Sequence, residues 1–356
     1  MNKLKVLVVG CGNMGASHAI AYHNLDGFEI CGLVSRGNSN AALNETLKSN
    51  YPEFHSFDHA LASSAPDAVC IATFPDTHEE YAIKAFKKGC HVFLEKPVAP
   101  TYEASKRVVD AAVTANKKLV IGYILRHHPS WIKFIEIAQN LGKPLVMRMN
   151  LNQQSKGSMW NTHKNLMHSM SPIVDCGVHY VDIMCQMTKS IPISVSAIGV
   201  NLSSEINKDR CNYGQLQVRF ADESVGWYEA GWGPMMSETA FFIKDIIGPK
   251  GSVSIVTEKH EGIASDNIDM HTQTQRLKLH KSDLNENNQF LFEDEYIDLQ
   301  DELNHNELCQ REQVYFLKSI LEDIDLTSHM QDALNSLQIV LAADLSIKEG
   351  RTIKLT

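Results

Sequence analysis

The run Lys5-Val6-Leu7-Val8-Val9-Gly10-Cys11-Gly12-Asn13-Met14-Gly15 constrains this chain more than any other feature. An apolar, β-forming stretch enters a turn of the form G-x-G-x-x-G, and helix-compatible residues Ala16 to His23 follow it. In that context each glycine has a physical task. Gly10 permits the tight turn, Gly12 lets backbone approach a pyrophosphate, and Gly15 lets the helix pack close on the strand. The helix N-terminus then faces the phosphates. Gly10, Gly12, Asn13, Met14 and Gly15 are therefore the expected dinucleotide-binding turn. The competing reading is an ordinary tight turn, since a lone glycine pattern without strand and helix carries little information.

The rest of the first ~125 residues alternates strand and helix in the manner such a turn requires. Phe28 to Val34, Asp67 to Thr73, His91 to Leu94 and Leu119 to Gly122 read as buried strands. Ala41 to Ser49, Thr77 to Lys88 and Tyr102 to Asn116 read as helices, with Gly89 closing the second. Continuous apolar strands between helices imply a parallel sheet covered on both faces. The second half changes character. Leu145 to Leu151, Gly214 to Phe220, Ser224 to Trp232, Phe241 to Ile247 and Ser252 to Val256 show period-two alternation, the pattern of an antiparallel sheet with one open face. Thr257 to Asn304 is polar and does not divide. Gln313 to Asp323 and Met330 to Glu349 read as closing helices.

A chain of 356 residues exceeds a single core, so two domains are expected, 1–124 and 125–356. The net charge of −9 argues against a nucleic-acid or acidic-membrane partner. No apolar run is long enough to span a membrane. The eight cysteines form no C-x-x-C and sit mostly in apolar runs, as reduced buried thiols do. Reading Leu4 to Val9 as a signal peptide would destroy the glycine turn. The reduced thiols make a cytoplasmic location the expectation.

Glu95-Lys96-Pro97 follows a strand directly, at the sheet edge where doubly wound folds bind ligands. Here the chain resembles the glucose–fructose oxidoreductase / inositol dehydrogenase / MocA-like family. The resemblance rests on Thr73-Phe74-Pro75-Asp76-Thr77-His78, Glu95-Lys96-Pro97, Gly122-Tyr123 through Arg126-His127-His128-Pro129, Asp175-Cys176-Gly177-Val178-His179-Tyr180-Val181-Asp182 and the stretch from Asp332 to Arg351. It implies an N-terminal Rossmann domain, a doubly wound parallel sheet, followed by an α+β C-terminal domain with a largely antiparallel open sheet. The last helix is expected to pack back towards the first domain. The resemblance also implies catalysis by Lys96 and His179. It places Thr73, Phe74, His78, Glu95, Lys96 and Arg126 at the cofactor and Tyr123 at the substrate. A homo-oligomer, dimer or tetramer, is expected through the C-terminal sheet, where Trp227, Phe241 and their neighbours would make an open face costly.

The residues support this chemistry independently. Ser171-Pro172 is a helix start, and Asp175, His179 and Asp182 follow at i, i+4 and i+7, on one face. Oxidising an alcohol needs a proton acceptor, for which His179 is suited, with Asp175 orienting it. Lys96 can stabilise developing alkoxide charge. The bland alternative makes the aspartates cap or surface residues and His179 a satisfied core histidine. A metal site is not expected, because His127-His128 is adjacent and no H-E-x-x-H or cysteine pair exists.

Asn152 to Met170 departs from the family, in which W-R-x-D and a glycine run are common. Trp160 offers an apolar plate for a sugar or cyclitol ring, with Asn161, His163, Lys164 and His168 as hydrogen-bond donors. The alternative is a polar surface loop with Trp160 in the core. At the end of the second strand, Leu33-Val34-Ser35-Arg36-Gly37-Asn38 carries no carboxylate for a ribose hydroxyl. Ser35 and Arg36 can bind a 2′-phosphate, which favours NADP over NAD. The expected activity is NAD(P)-dependent hydride transfer to or from a sugar, sugar derivative or cyclitol. An NAD-dependent glycosidase using transient oxidation and a non-catalytic nucleotide sensor are the alternatives.

Overall fold

The computed structural model describes residues 3–237, 243–256, 274–299 and 303–355. The chain divides into two compact units. Residues 1–127 and 303–334 form the first, and residues 128–302 and 335–356 form the second.

The first unit begins with β1 (Leu4–Val9), α1 (Asn13–Asn24), β2 (Phe28–Val34), α2 (Ser39–Leu47), β3 (Glu53–Phe54) and α3 (Phe57–Ser64). It continues with β4 (Ala68–Ile71), α4 (His78–Lys87), β5 (His91–Glu95), α5 (Tyr102–Ala115) and β6 (Leu119–Gly122). The strands pair in the order β3-β2-β1-β4-β5-β6, and every pairing is parallel. Sequence order reverses between β1 and β4, which opens a crevice beyond their carboxyl ends. Val6, Val8, Cys70, Phe93 and Val120 are fully buried, as strands covered on both faces must be. The short elements β3 and α3 had no clear signal in the sequence.

The helices end where local chemistry requires. Thr101 caps α5 by accepting from Ala104 N at 3.1 Å, and Asn116 closes it in the left-handed region. Gly89, at φ +79°, lets the chain turn from α4 into β5. A further helix, His305–Leu321, belongs to this unit and starts with an Asn304/Glu307 capping box. Its Phe316 stacks on Phe28, centroids 5.8 Å apart, and closes the core over β2 and β5.

The second unit holds α6 (Pro129–Asn140), β7 (Val146–Gln154), α7 (Gly157–Leu166), α8 (Pro172–Asp175) and α9 (Gly177–Thr188). Then come β8 (Pro192–Val200), β9 (Tyr213–Phe220), β10 (Val225–Gly233), β11 (Lys244–Gly248), β12 (Gly251–Val256), β13 (Arg276–Lys281), β14 (Glu295–Asp298) and β15 (Ile353–Lys354). Counting on from α9, the helix His305–Leu321 is α10, and Thr327–Glu349 is α11. The sheet order is β14-β13-β12-β11-β7-β10-β9-β8-β15. Among the described residues every pairing in this sheet is antiparallel except β7 with β10, whose connection runs through three helices and two strands.

Met147, Met149, Leu216, Val218, Tyr228, Ala230 and Ile246 alternate onto the buried side, against α6, α8 and α9. The other side is more polar than the sequence pattern implied. Arg148 Nε donates to Asp245 Oδ1 at 2.9 Å and Asn152 Nδ2 to Glu229 Oε1 at 2.6 Å, among exposed Val146, Val225 and Ile247 and half-buried Trp227. Phe241 and Phe242, expected to begin a strand, lie outside the described residues, as do residues 257–273.

Candidate active site

Because the first sheet is parallel, the residues that follow its strands all leave from one edge. Gly10 carries the turn at φ +88°, and a Cβ there would lie 2.4 Å from Ala72 O. A Cβ on Gly15 would lie 1.7 Å from Gly10 O, so the first helical turn touches the turn backbone itself. Gly12 differs from both: a Cβ there meets nothing within 4 Å. Gly12 is also the N-cap of α1, with no side-chain cap and no acidic residue in the first turn. Open space at a helix N-terminus without a side-chain cap suits the pyrophosphate of a dinucleotide. The residues present therefore fit the cofactor implied by the glycine turn.

Ser35 and Arg36 follow the last residue of β2. Ser35 Oγ lies 2.6 Å from Ser39 Oγ and accepts from Gly37 N at 3.3 Å, while Arg36 is exposed. After β4, Thr73 Oγ1 lies 2.7 Å from Thr77 Oγ1, and the Phe74 ring is 67% exposed.

His78 does not reach this open edge. It is fully buried, with Nδ1 2.9 Å from Pro97 O and Nε2 3.0 Å from Thr73 O. It ties two edge loops together. Burial draws its pKa down, against the two carbonyls that favour the charged form. Tyr123 also turns inward. It is buried, and the half-buried Arg126 guanidinium lies 4.9 Å above its ring. Arg126 Nη1 donates to His329 Nδ1 at 2.7 Å, so its head is anchored at the edge rather than loose. Burial and the Arg126 charge hold the His329 pKa well below its ordinary value.

Glu95 ends β5, and Lys96, half-buried, follows it with a cis peptide to Pro97. Glu95 Oε2 accepts from Lys96 N at 3.1 Å, and Oε1 lies 2.6 Å from His18 Nε2. Glu95 is nearly fully buried and accepts from the backbone of Lys96 rather than standing open at the edge. His18 on α1 meets Glu95 directly, and Gln313 on α10 and Tyr22 on α1 extend that contact by hydrogen bonds, with Glu312 beside Gln313; no sequence pattern singled these residues out. Their only local signal was polar residues at helical spacing. His18, Cys309 and Glu312 place one ligand atom each within 4.8 Å of one another. Both ring nitrogens of His18 are already hydrogen bonded, so a metal would have to break one of those bonds.

In the second unit, Ser171 caps α8, with Oγ accepting from Val174 N at 3.2 Å and donating to Asp344 Oδ1 at 2.6 Å. The single helix expected through Asp175, His179 and Asp182 is two helices. Asp175 ends α8, and Cys176 joins it to α9 with φ −85° and ψ −40°. That backbone stays right-handed helical, so Asp175 and His179 remain one turn apart, and both are half-buried. Asp182 is fully buried, and its Oδ2 accepts from Gln186 Nε2 at 2.8 Å. Gly177 sets the approach of α9 to the sheet, since a Cβ there would lie 2.8 Å from the Tyr228 ring.

Trp160 and His163 sit on a helix rather than on an open loop. They lie on α7, and Trp160 is only 5% exposed, packed with Met167 and Trp232. Its Nε1 donates to Glu205 Oε1 at 3.1 Å. His163 is buried and stacks on Trp232 at 4.3 Å with the planes 10° apart. Lys164 Nζ pairs with Glu205 at 2.7 Å. Asn161, by contrast, is exposed on α7.

Two other residues near the Asp175–His179 segment emerge from the fold. Gln153 Oε1 accepts from Trp232 Nε1 at 2.7 Å and lies 3.4 Å from Cys176 Sγ. Lys244 is buried on β11, where Nζ donates to Asn150 O at 2.8 Å and lies 5.0 Å over the Tyr180 ring. Burial draws its pKa down to about 7.

The comparisons agree with this architecture. Residues 4–123 match the oxidoreductase family, NAD-binding Rossmann fold, and residues 136–355 match that family's C-terminal alpha/beta domain. An inositol 2-dehydrogenase of Paracoccus denitrificans (strain Pd 1222) is 32% identical over 47% of this chain and 52% of its own length. The chain thus spans about half the length of the first curated relatives it matches. An inositol 2-dehydrogenase of Burkholderia lata is 26% identical over 78% of this chain and 87% of its own. The crystal structure of scyllo-inositol dehydrogenase from Lactobacillus casei, with bound NAD(H) and scyllo-inositol, superposes with a TM-score of 0.78. It covers 99% of both chains at 19% identity. This chain belongs to the glucose–fructose oxidoreductase / inositol dehydrogenase / MocA family of oxidoreductases.

Proposed function

We propose that the protein is a nicotinamide-dependent oxidoreductase acting on a hydroxyl, or the matching ketone, of a cyclitol, sugar or sugar derivative. The observation that carries the reading lies in the first unit. The open space at Gly12 and the side chain of Lys96 belong to the same edge of one parallel sheet. The inositol 2-dehydrogenase relatives support a cyclitol as the substrate class.

A bound nicotinamide supplies a hydride acceptor or donor for the substrate carbon. The chain's own residues handle the oxygen and its proton. Lys96 donates a hydrogen bond to the reacting oxygen and stabilises alkoxide charge as it develops. His179 takes the hydroxyl proton, and Asp175, one helical turn away, orients its ring. Gly10, Gly12, Asn13, Met14 and Gly15 receive the pyrophosphate, with Thr73, Phe74 and Arg126 along the same edge. Ser35 and Arg36 favour NADP over NAD, because neither brings a carboxylate against a 2′-phosphate.

Nucleotide binding is assigned to residues 1–124 and substrate binding to 125–356. Self-association is assigned to the open side of the second sheet, where exposed Val146, Val225 and Ile247 accompany Trp227. A reducing compartment suits the eight free thiols. Among the described residues, no helix is long and apolar enough to cross a membrane.

The test is a panel of cyclitols and sugars, myo-inositol and scyllo-inositol included, with NAD+ and with NADP+, followed by absorbance of the reduced nicotinamide. Reduction with a cyclitol or sugar, more efficient with NADP+, is expected. Cleavage of a glycoside without net reduced nicotinamide would replace this reading with a hydrolase. Nucleotide binding without any turnover would replace it with a sensor.

A further inference from the structure

Behind Lys96 lies a chain of hydrogen bonds that no step above uses, all of it within the first unit. Glu95 is the last residue of β5 and pairs in register with Gly122 on β6. A Cβ at 122 would stand 3.1 Å from Glu95 Oε1, so the bare glycine makes room for the carboxylate. Oε2 accepts from Lys96 N at 3.1 Å, and Oε1 meets His18 Nε2 at 2.6 Å. His18 Nδ1 lies 3.0 Å from Gln313 Nε2, and Gln313 Oε1 accepts from the Tyr22 hydroxyl. His18, Tyr22, Glu95 and Gln313 are all buried.

The direction of every bond in this chain follows from its chemistry. The Tyr22 hydroxyl donates to the Gln313 carbonyl oxygen, which turns the Gln313 amide nitrogen towards His18. An amide NH2 only donates, so His18 Nδ1 accepts, and the ring proton sits on Nε2. That proton is donated to Glu95, and the Phe93 ring, 4.7 Å from the imidazole, fixes the ring plane. The Glu95 carboxylate thus receives one bond from a helix-borne ring and one from the backbone amide of Lys96. His18 and Tyr22 are four apart on α1, so both reach Gln313 on α10 from one helix face. Glu312, beside Gln313 on α10, has its carboxyl pKa pushed well above the usual range by burial and by Glu95. Cys70 and Cys309 complete the surroundings, and burial raises both thiols.

We propose that His18, Gln313 and Tyr22 are positioning residues for Lys96. They act through Glu95, and the hydrogen-bond relay fixes the strand end from which the Lys96 side chain departs. The proposal rests on the reading that Lys96 meets the substrate oxygen, but its test does not depend on that reading. A carboxylate held by a tautomer-fixed imidazole is rigid, and removing the outer partner of such an imidazole typically costs about 10–100-fold where its role has been measured at metal sites.

The experiment compares the full-length parent with Gln313→Leu and with the gentler Tyr22→Phe. Three measurements are made on each: thermal unfolding, nicotinamide cofactor affinity by fluorescence, and competitive acetylation of lysines by acetic anhydride read by peptide mass spectrometry. Where myo-inositol turns over, kcat and KM are measured as well. In folded variants, Lys96 acetylation is expected to rise about threefold or more relative to Lys84 and Lys106, as its strand end opens locally. kcat falls about tenfold in Gln313→Leu, with KM and cofactor affinity near parental. Parental Lys96 labelling in both variants, or an equal rise at Lys84 and Lys106, overturns the proposal. If Gln313→Leu fails to fold, Tyr22→Phe decides alone. An absence of turnover with myo-inositol bears on the substrate reading, while the labelling still decides the relay.

Discussion

The glycine turn of the first unit and the segment from α7 to α9 of the second are determined over different distances along the chain. At the turn, the requirement is backbone against backbone. Gly10 and Gly15 would each drive a Cβ into a main-chain oxygen, whereas Gly12 faces open space. Both facts follow from residues within a few positions of one another, apart from Ala72 on the adjacent strand. In the α7–α9 segment the roles are set by distant partners. Trp160 is claimed by Glu205, His163 by Trp232 and Ser171 by Asp344. Local steric demands are written into a short motif, while the availability of a polar or aromatic side chain is decided by whatever the fold brings against it.

Substitutions can break this contrast. Trp160→Ala is expected to cost about 3–5 kcal/mol in urea unfolding, as buried tryptophans do. KM for substrate should be nearly unchanged among folded molecules. A large rise in KM with stability preserved would return Trp160 to the ligand. Gly15→Ala should cost about 3 kcal/mol or more through the clash with Gly10 O, overriding the gain in helix propensity.

Asp344 sharpens the contrast through pH. Burial raises its carboxyl from 3.8 to about 6, against the Ser171 hydrogen bond and the Arg210 charge. A raised folded pKa means that its contribution to stability is fully present below the unfolded pKa and is lost as pH rises through the folded one. The window is about pH 4 to 6, and the difference corresponds to about 2–3 kcal/mol. Asp344→Asn should therefore be more stable than the parent at about pH 7.5 and equal to it at about pH 4. Equal stability at both would show that burial does not raise the Asp344 carboxyl.

Gly12→Ala is the counterpart to Gly15→Ala. Stability should fall by about 1 kcal/mol, the difference between these residues at an N-cap and well under the cost at Gly15, while cofactor affinity falls about tenfold or more. Arg36→Ala has the smallest expected effect, a loss of about fivefold in affinity for NADP with NAD unchanged, as befits an exposed charge pair. Equal weakening of both cofactors would remove the 2′-phosphate role.

The sequence was most informative where periodicity and turn chemistry act alone. The apolar strands β1, β4, β5 and β6, the glycine turn and the ends of α4 and α5 are legible because burial on both faces and left-handed backbone leave residue-level marks. The two-residue β3 is too short to show a period. The break at Cys176 keeps helical dihedrals, so no breaker residue announces it. Gln313 lies nearly three hundred residues from His18, and a hydrogen bond across such a distance has no trace in local spacing. His78 and Tyr123 were recognised as motif residues, but the motif does not reveal that their side chains turn inward.

The catalytic assignment is tested most directly by kcat with a cyclitol substrate for Lys96→Ala and His179→Ala, alongside cofactor affinity measured on the same preparations. Each variant is expected to lose at least about 100-fold in kcat, the range of a proton-transfer or oxyanion contribution, and to bind the nicotinamide cofactor within about twofold of the parent. Near-parental kcat in both variants, with the cofactor bound, would contradict it.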